Sequence, residues 1–339
     1  MQKYVIFIGI DMSKSWFDAA LYWSTLKGQK PGKRFDNTPE GFENFLQWVN
    51  KLQTRNQIRG TWFVCMEHTG VYGLALARHL KKRSIKVVME SPLRIERSLG
   101  LRRGKTDAAD ANSIADYAYE KHAKIKVRPL PSQRLLRVQA LLSLRARLVR
   151  YRQGLNVAAN ELDGLVDEVI AAPVIKSTDL ISRRMEQQIT HIEKKVKQLL
   201  RGEKQLKSLY DLVISVIGIG PVITAYLLVY TNGFTAFETA RQFACYIGIA
   251  PFPYSSGTSV KRPDQVSFLA NTRLKALISS AATVAVVHDP ELKAFFKKHQ
   301  ARGKEDGWIY NAVKNKIVHR IFAVVKRGTP YVVMNRHEA

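Results

Sequence analysis

Apolar residues fill Tyr4–Ile10 and stop at Asp11, the pattern of a buried strand ending in a charge. Ser15–Leu21 predicts a second strand running on into Tyr22 and Trp23, and Lys33–Phe35 a third. Asn37-Thr38-Pro39-Glu40 then opens a helix: Pro39 takes an early position, and Phe42, Phe45, Leu46 and Val49 share one face. Trp62–Met66 predicts a strand ending at Glu67, Gly70–Leu80 a helix, Lys86–Met89 a short strand, and Asp107–Tyr119 a helix with alanines on its buried side. Strands alternating with helices in this way predict an α/β domain around a mixed sheet.

The period then changes. Leu141, Leu144, Leu148, Tyr151, Leu155, Ala158, Leu162 and Leu165 repeat at alternating spacings of three and four. Met185, Ile189, Ile192, Val196 and Leu199 do the same further on. Two such helices around a loop near Pro173 predict an antiparallel coiled-coil hairpin, with an ordinary helical bundle as the alternative. Gly154 and Gly164 weaken the first helix as a rigid rod. Beyond it, Pro221, Gly233, Gly248, Pro251, Pro253 and Pro263 punctuate helical stretches, among them Leu274–Val287, Leu292–Lys298 and Trp308–Val325. The expected organisation is an α/β domain over 1–125, a coiled-coil connector and oligomerisation region over 126–207, and a mostly helical domain over 208–330.

Composition narrows the partners. The 339 residues carry a formal net charge of +26, from 54 Lys plus Arg against 28 Asp plus Glu. Such an excess points to a polyanion, through counterion release and steering. Residues 121–160 alone hold ten Lys or Arg and no acid. Cys65 and Cys245 sit in apolar runs and read as buried thiols, which excludes a disulfide framework or a zinc site and suits a reducing, cytoplasmic compartment. The first strand is too short, and too soon followed by Asp11, to be a signal peptide. The apolar stretches near Ile214–Tyr230 and Leu277–Val287 are broken by Gly, Pro, Ser and Thr, so they read as core helices and not as membrane spans.

Asp11 and Glu67 close strands, where open α/β folds bind ligands. Asp107 and Asp110 stand three apart on a helix, so they share a side. Carboxylates so grouped suit Mg²⁺, with Mn²⁺ able to substitute, and a pair of such ions suits phosphodiester chemistry. Taken singly, each acid also fits a turn cap, a helix-dipole partner or a solvated end, and Asp18, Asp36, Glu90 and Asp116 compete for the role. Arg94, Arg97, Arg102, Arg103 and Lys105 run between Glu67 and Asp107 as candidate phosphate contacts. Arg134, Arg137, Lys261, Arg262, Arg273 and Lys275 are further candidates. Gly218-Ile219-Gly220-Pro221 fits either a helix-hairpin-helix phosphate turn or a plain helical corner. PYSSGTSV, residues 253–260, holds Ser255 and Ser256 before Gly257 with no His or Asp near, which by itself reads as a polar turn.

Several blocks together carry a resemblance. GIDMSKSWFD at the N-terminus, MEHTGVYGLALARHL around Glu67, GKTDAADANSIADYA around Asp107 and Asp110, ISVIGIGPVITAYLL, and FACYIGIAPFPYSSG are similar to the blocks of the bridge-RNA-guided DNA recombinases of bacterial insertion sequences. That family also contains Piv-type site-specific DNA invertases. The resemblance spans nearly the whole chain. It implies a RuvC-like, RNase-H-type N-terminal domain with Mg²⁺ on Asp11, Glu67, Asp107 and Asp110, and a C-terminal transposase domain. There Ser256, placed before a glycine, attacks a DNA phosphate and forms a covalent intermediate, with Ser255 as its neighbour. Donor and target DNA, a structured non-coding RNA and a dimer of dimers are the partners it implies, in a bacterial, nucleoid-associated setting. One departure stands out. Where the family has a block like Ile-Ser-Lys-x-Gly-Asn, this chain has Val266-Ser267-Phe268-Leu269-Ala270-Asn271, which alters the expected phosphate-binding loop. Two alternatives stay open: a metal-dependent nuclease that uses the acids alone, and a non-catalytic nucleic-acid-binding protein.

Overall fold

The computed structural model describes residues 4–68, 70–98, 107–162, 165–256, 260–266 and 269–333, and the chain divides into two compact units, Met1–Leu130 and Pro131–Ala339.

The first unit is built on strands β1 (Tyr4–Met12), β2 (Trp16–Tyr22), β3 (Gly32–Asp36), β4 (Thr61–Glu67) and β5 (Lys86–Glu90). They form one sheet in the order β3-β2-β1-β4-β5. β1 runs antiparallel to β2 and parallel to β4; β2 is antiparallel to β3, and β4 parallel to β5. The sheet is mixed, as the alternation of strands and helices predicted. Helix α1 (Pro39–Arg55) joins β3 to β4, and α2 (Leu74–Lys82) joins β4 to β5. Thr38 caps α1 by accepting from the Gly41 N–H at 3.2 Å. The expected helix from Gly70 begins instead at Leu74, because Gly70 has φ +86°, a left-handed conformation outside any helix.

Alternation along the strands sorts the two faces. Even positions of β1 and β4 (Ile6, Ile8, Ile10, Met12, Val64, Met66) bury against Phe42, Phe45 and Val49 of α1 and Leu76 and Leu80 of α2. Ile6, Ile8 and Ile10 are fully buried, each contributing roughly 1.5–3 kcal/mol. Odd positions (Phe7, Phe63, Cys65, with Val88 of β5) face Ile114, Tyr117 and Ala118 of α4 (Asp107–Lys121), and Ile95 of the short α3 (Pro92–Ser98). Gly9 is the closest approach. A Cβ built there would lie 2.2 Å from the Ala111 carbonyl oxygen and 2.2 Å from the Ala115 nitrogen. Glycine therefore sets how tightly α4 seats on β1.

The second unit opens with two long helices, α5 (Gln133–Leu162) and α6 (Glu168–Arg201), folded back on one another. Arg145 pairs with Glu193 at 2.6 Å, and Arg152 pairs with Glu186. The hairpin turn lies before Glu168 and not at Pro173, which sits in the second turn of α6. There its missing N–H removes one bond, to Val169, too little to stop the helix. The buried positions on α5 are Leu135, Val138 and Leu142 toward its start and Ala159 toward its end, while Leu144 and Tyr151 of the expected seam are exposed. On α6 the expected Ile189, Ile192 and Val196 are buried.

Helices α7 (Lys204–Ile214), α8 (Pro221–Tyr230), α9 (Ala240–Tyr246), α10 (Thr272–His288), α11 (Pro290–Gln300) and α12 (Asp306–Arg327) complete the unit. The hairpin root belongs to the same hydrophobic cluster as α7–α12, and the buried Tyr226 hydroxyl donates to the Leu142 carbonyl at 3.2 Å. Gly218 has φ +91°, and a Cβ on it would meet the Ala281 carbonyl oxygen at 2.4 Å. Close packing on α10 thus accounts for this glycine. Among the described residues no helix is long and apolar enough to cross a membrane. Burial holds the Cys65 thiol far above its usual range, so it is inert, whereas Cys245 is only half-buried.

A ribbon breaks the helical run. Strands β6 (Pro251–Ser256) and β7 (Val260–Val266) pair antiparallel, with Ser256 opposite Val260 at the far end. Pro251, Pro253 and Pro263 argue against strands, but both strands of an isolated ribbon are edges, where proline is tolerated.

Candidate active site

Strand parity and register bring acids into one row. Asp11 of β1 lies opposite Asp18 of β2, and Glu67 of β4 lies beside Glu90 of β5. Ile10 pairs with Met66, so Asp11 and Glu67 are neighbours one step on. All four have the parity of the α4-facing residues. The row crosses the sheet at the carboxyl ends of β1 and β4. Helix α4 begins with Asp107 and Asp110 in its first turn, where the dipole favours acids, and its contact with Gly9 brings that turn to the row.

The electrostatic result is concentrated at Asp11. Its carboxyl is pushed up to about 6, first by burial and then by the charges of Glu67, Asp110 and Asp107. The other three sequence-predicted acids therefore all act on Asp11. Among the described residues, however, no three such groups stand close enough to enclose an ion.

The outer members of the row are neutralised by protein. Arg34 of β3 grips both carboxylate oxygens of Asp18, at 2.8–3.2 Å, and the same guanidinium reaches Asp107 at 2.9 Å. It also lies over the Trp16 ring, 5.1 Å from its centre. At the other end Glu90 is buried and satisfied. It accepts from the Tyr117 hydroxyl at 3.1 Å and the Ser91 N–H at 2.9 Å, with Arg94 at 3.5 Å. Asp116, another competing acid, pairs with Lys30 at 2.7 Å. Asp11 and Asp110 take no part in these pairings. Sequence reasoning missed Arg34. Its bond to Asp107 spans 73 positions, and the only advance signal was the alternation that puts Asp18 across from Asp11.

The predicted bases scatter. Arg94 is tied to Glu90, and Arg97 is exposed on α3. Arg102, Arg103 and Lys105 lie outside the described residues. Arg134 serves the hairpin root, donating to the Leu199 carbonyl at 3.0 Å and pairing with Glu203 at 3.3 Å. Arg137 lines a cleft of about 310 Å³ with Gln133, Lys195 and Gln198. Arg273 lies over the Tyr226 ring at 5.9 Å, and Lys275 is half-buried in the first turn of α10. Lys261 and Arg262 fall on β7, with side chains outside the description, as are those of Ser255 and Ser256. Gly257 and Phe268 are also outside it. Ser256 ends β6 in the second unit, while the acids belong to the first.

Two families match this chain in succession. Residues 8–170 match the IS110-type DEDD domain described as a transposase, and residues 210–297 match the transposase IS116/IS110/IS902 family. The pilin gene-inverting protein of Moraxella bovis is 27% identical over 342 residues, covering 96% of this chain and 97% of that protein. A probable family 20 transposase of Pseudomonas aeruginosa is 24% identical over 259 residues, covering 67% of this chain and 74% of its own. The solved T. thermophilus RuvC in complex with a Holliday junction substrate overlaps 38% of this chain and 100% of that chain, at 14% identity and a TM-score of 0.29, too slight to bear on the fold.

Proposed function

The chain belongs to the IS110-type transposase/recombinase family, and from that premise we propose that it cuts and rejoins DNA through a covalent link between Ser256 and a DNA phosphate, aided by a divalent cation. The observation that carries the cation is the row of carboxylates at Asp11, where the charges of Glu67, Asp110 and Asp107 add to the burial that raises its pKa. Hard oxygen donors in that field fit Mg²⁺ or Mn²⁺. Asp11, Glu67, Asp107 and Asp110 would hold it, and bound there it would polarise a phosphate and stabilise developing charge on oxygen.

The protein's own groups do the rest. Ser256, at the far end of the β6–β7 pairing, presents its hydroxyl to the phosphate. The bond from its Oγ to phosphorus forms as one bridging P–O bond breaks and frees a deoxyribose hydroxyl. A second such hydroxyl attacks the same phosphorus and returns the serine, so rejoining needs no ATP. Arg34 holds the start of α4 beside β2 through Asp107 and Asp18, which keeps the first turn of the helix at the row.

Donor and target DNA are the substrates, and a structured non-coding RNA of the element selects them by base pairing. The charge of +26 supports a polyanionic partner, a property that DNA and RNA share. Coiled-coil assembly into a dimer of dimers finds support at the far end of the long helices, where Leu165, Val169, Ile170 and Leu180 are 63–86% exposed. The three-part division into 1–125, 126–207 and 208–330, with a cytoplasmic, nucleoid-associated setting, belongs to the same reading.

The test is a suicide DNA substrate, followed by denaturation, protease digestion and mass spectrometry of the linked peptide. The expected adduct lies on Ser256 and disappears in Ser256→Ala. An adduct on Ser255 would shift the role by one residue. Efficient cleavage without any adduct would overturn the mechanism in favour of a hydrolytic nuclease.

A further inference from the structure

Among the described residues, the side-chain bonds that hold the ribbon lie at its base, and they come from asparagines. Asn311 and Asn315, one turn apart on α12, both donate their side-chain amides to the Ile249 carbonyl, at 3.0 and 3.2 Å. Ile249 lies two residues before β6. On the return side Asn271 donates its backbone N–H to the Tyr246 carbonyl and its side-chain amide to the Tyr246 hydroxyl, each at 3.0 Å, while its oxygen caps α10 through the Leu274 N–H at 3.1 Å. Both strands therefore leave a rigid platform made by α9, α10 and α12.

Two lysines occupy that platform. Lys314 stands between the two asparagines on α12 and is half-buried, and Lys275 of α10 is near enough for its charge to act on Lys314. Burial, and then Lys275, lower the pKa of the Lys314 ammonium. Neither lysine forms an ion pair with a carboxylate among the described residues. The same helix shows what a neutralised base looks like. Arg320, six residues on, is bonded to the fully buried Asp289 at 2.7 Å and to Glu291 at 2.6 Å. A half-buried ammonium with a like charge beside it and no described carboxylate paired to it costs stability. Methionine or leucine would pack the same place without that cost, and an anion supplied from outside would remove it.

We infer that Lys275 and Lys314 form a phosphodiester-binding site at the root of the β6–β7 ribbon, gripping the DNA at a phosphate away from the one under attack. Five residue steps separate Pro251 from Ser256, or about 17 Å of extended strand. At ~3.4 Å per nucleotide along a B-form strand, the gripped phosphate lies about five nucleotides from the point of exchange. This site holds the substrate in register while the ribbon tip carries the chemistry. The spacing rests on the reading of Ser256 as nucleophile; the phosphate site does not.

The experiment uses the full chain carrying Ser256→Ala, so that binding is measured without cleavage. Anisotropy of a labelled random-sequence duplex DNA is followed across a series of KCl concentrations, with a labelled single-stranded RNA of random sequence as the second arm. Lys314→Gln should weaken duplex binding by about tenfold, as expected for one charge-assisted bond, and should lower the slope of log K against log salt by about 0.9. Lys314→Arg should keep the slope. Lys314→Met should bind as poorly as Lys314→Gln yet melt at a higher temperature than its parent. An unchanged slope in Lys314→Gln, a loss confined to RNA, or a lower melting temperature in Lys314→Met would each overturn the site. Phosphate-ethylation interference on the suicide substrate of the cleaving protein then reads the spacing. If no serine adduct forms there, the nucleophile reading fails while the slope result still stands for the lysines.

Discussion

The acid row and the serine ribbon differ in how they are held. Asp11 sits in the middle strand of five, with a helix packed on its face at backbone distance and apolar layers on both sides. Ser256 ends a two-stranded ribbon that, among the described residues, is bonded at its base by asparagine amides. Groups that share a charge must keep their spacing against mutual repulsion, and that takes a core. A nucleophile that has to meet a phosphate needs reach, and two paired strands provide reach at the cost of local stability. The contrast teaches that one half of this protein supplies a field and the other, on the proposed function, a serine carried on two paired strands.

The comparison is most easily broken at Gly9. Gly9→Ala places a methyl carbon 2.2 Å from two backbone atoms of α4. It should cost about 3 kcal/mol or more, seen as a lower melting temperature of the full chain, and should remove strand cleavage by pushing the first turn of α4 off the row. Wild-type melting and cleavage in this variant would mean that α4 is not seated by this contact. The ribbon should answer differently. Asn311→Ala with Asn315→Ala leaves the Ile249 carbonyl without either amide, at about 1–3 kcal/mol. Faster amide exchange should appear across β6 and β7 and not in the sheet of the first unit. Uniform exchange would show that the ribbon has other anchors.

Smaller, and of opposite sign, is the effect expected at Asp11. Its folded pKa of about 6 stands above the ordinary 3.8, so the ionised carboxylate opposes folding. Stability should therefore fall as pH rises from about 3.8 through 6 and stay lower above that. Asp11→Asn should melt at a higher temperature than wild type at neutral pH, and the gain should fade as pH drops below 6. Mg²⁺ should raise the wild-type melting temperature and leave the variant nearly unmoved, which thermal scans with and without the ion would check. The smallest effect belongs to Gly154 on α5, where an added Cβ meets nothing within 4 Å. Gly154→Ala should stabilise by roughly 0.5–1 kcal/mol, again by melting, with cleavage unchanged.

How legible these two regions were in the sequence follows from the same contrast. β1, β4 and β5 could be read because burial on both faces leaves long apolar runs, and the acids mark where those runs end. The position of α4 could be read as a helix, but its closeness to β1 depends on Gly9 meeting Ala111, a pairing of distant residues that no local period records. Arg34 was invisible for the same reason: its partners come from β2 and α4. The ribbon was misread as punctuation because its prolines suit an edge, and nothing local says that both strands are edges. On α5 the repeat at Leu144 and Tyr151 was real, yet the core took Leu135, Val138 and Leu142, since α7–α12 pack only against the root of the hairpin.

Strand β1 keeps two ledgers in nine residues, isoleucines on even numbers and Phe7, Gly9 and Asp11 on odd ones. Such a strand has no tolerance for insertion or deletion. Losing one residue before Asp11 would turn that carboxylate toward α1 and α2 and set an isoleucine under α4 where only glycine fits. The loop between β2 and β3 carries no such parity, and its exposed stretch 27–29, between the core residues Trp23 and Leu26 and the Lys30 that pairs with Asp116, can change length. Among diverging copies of this gene, length variation should accumulate in that loop and be absent from β1, even where the individual strand residues have been replaced.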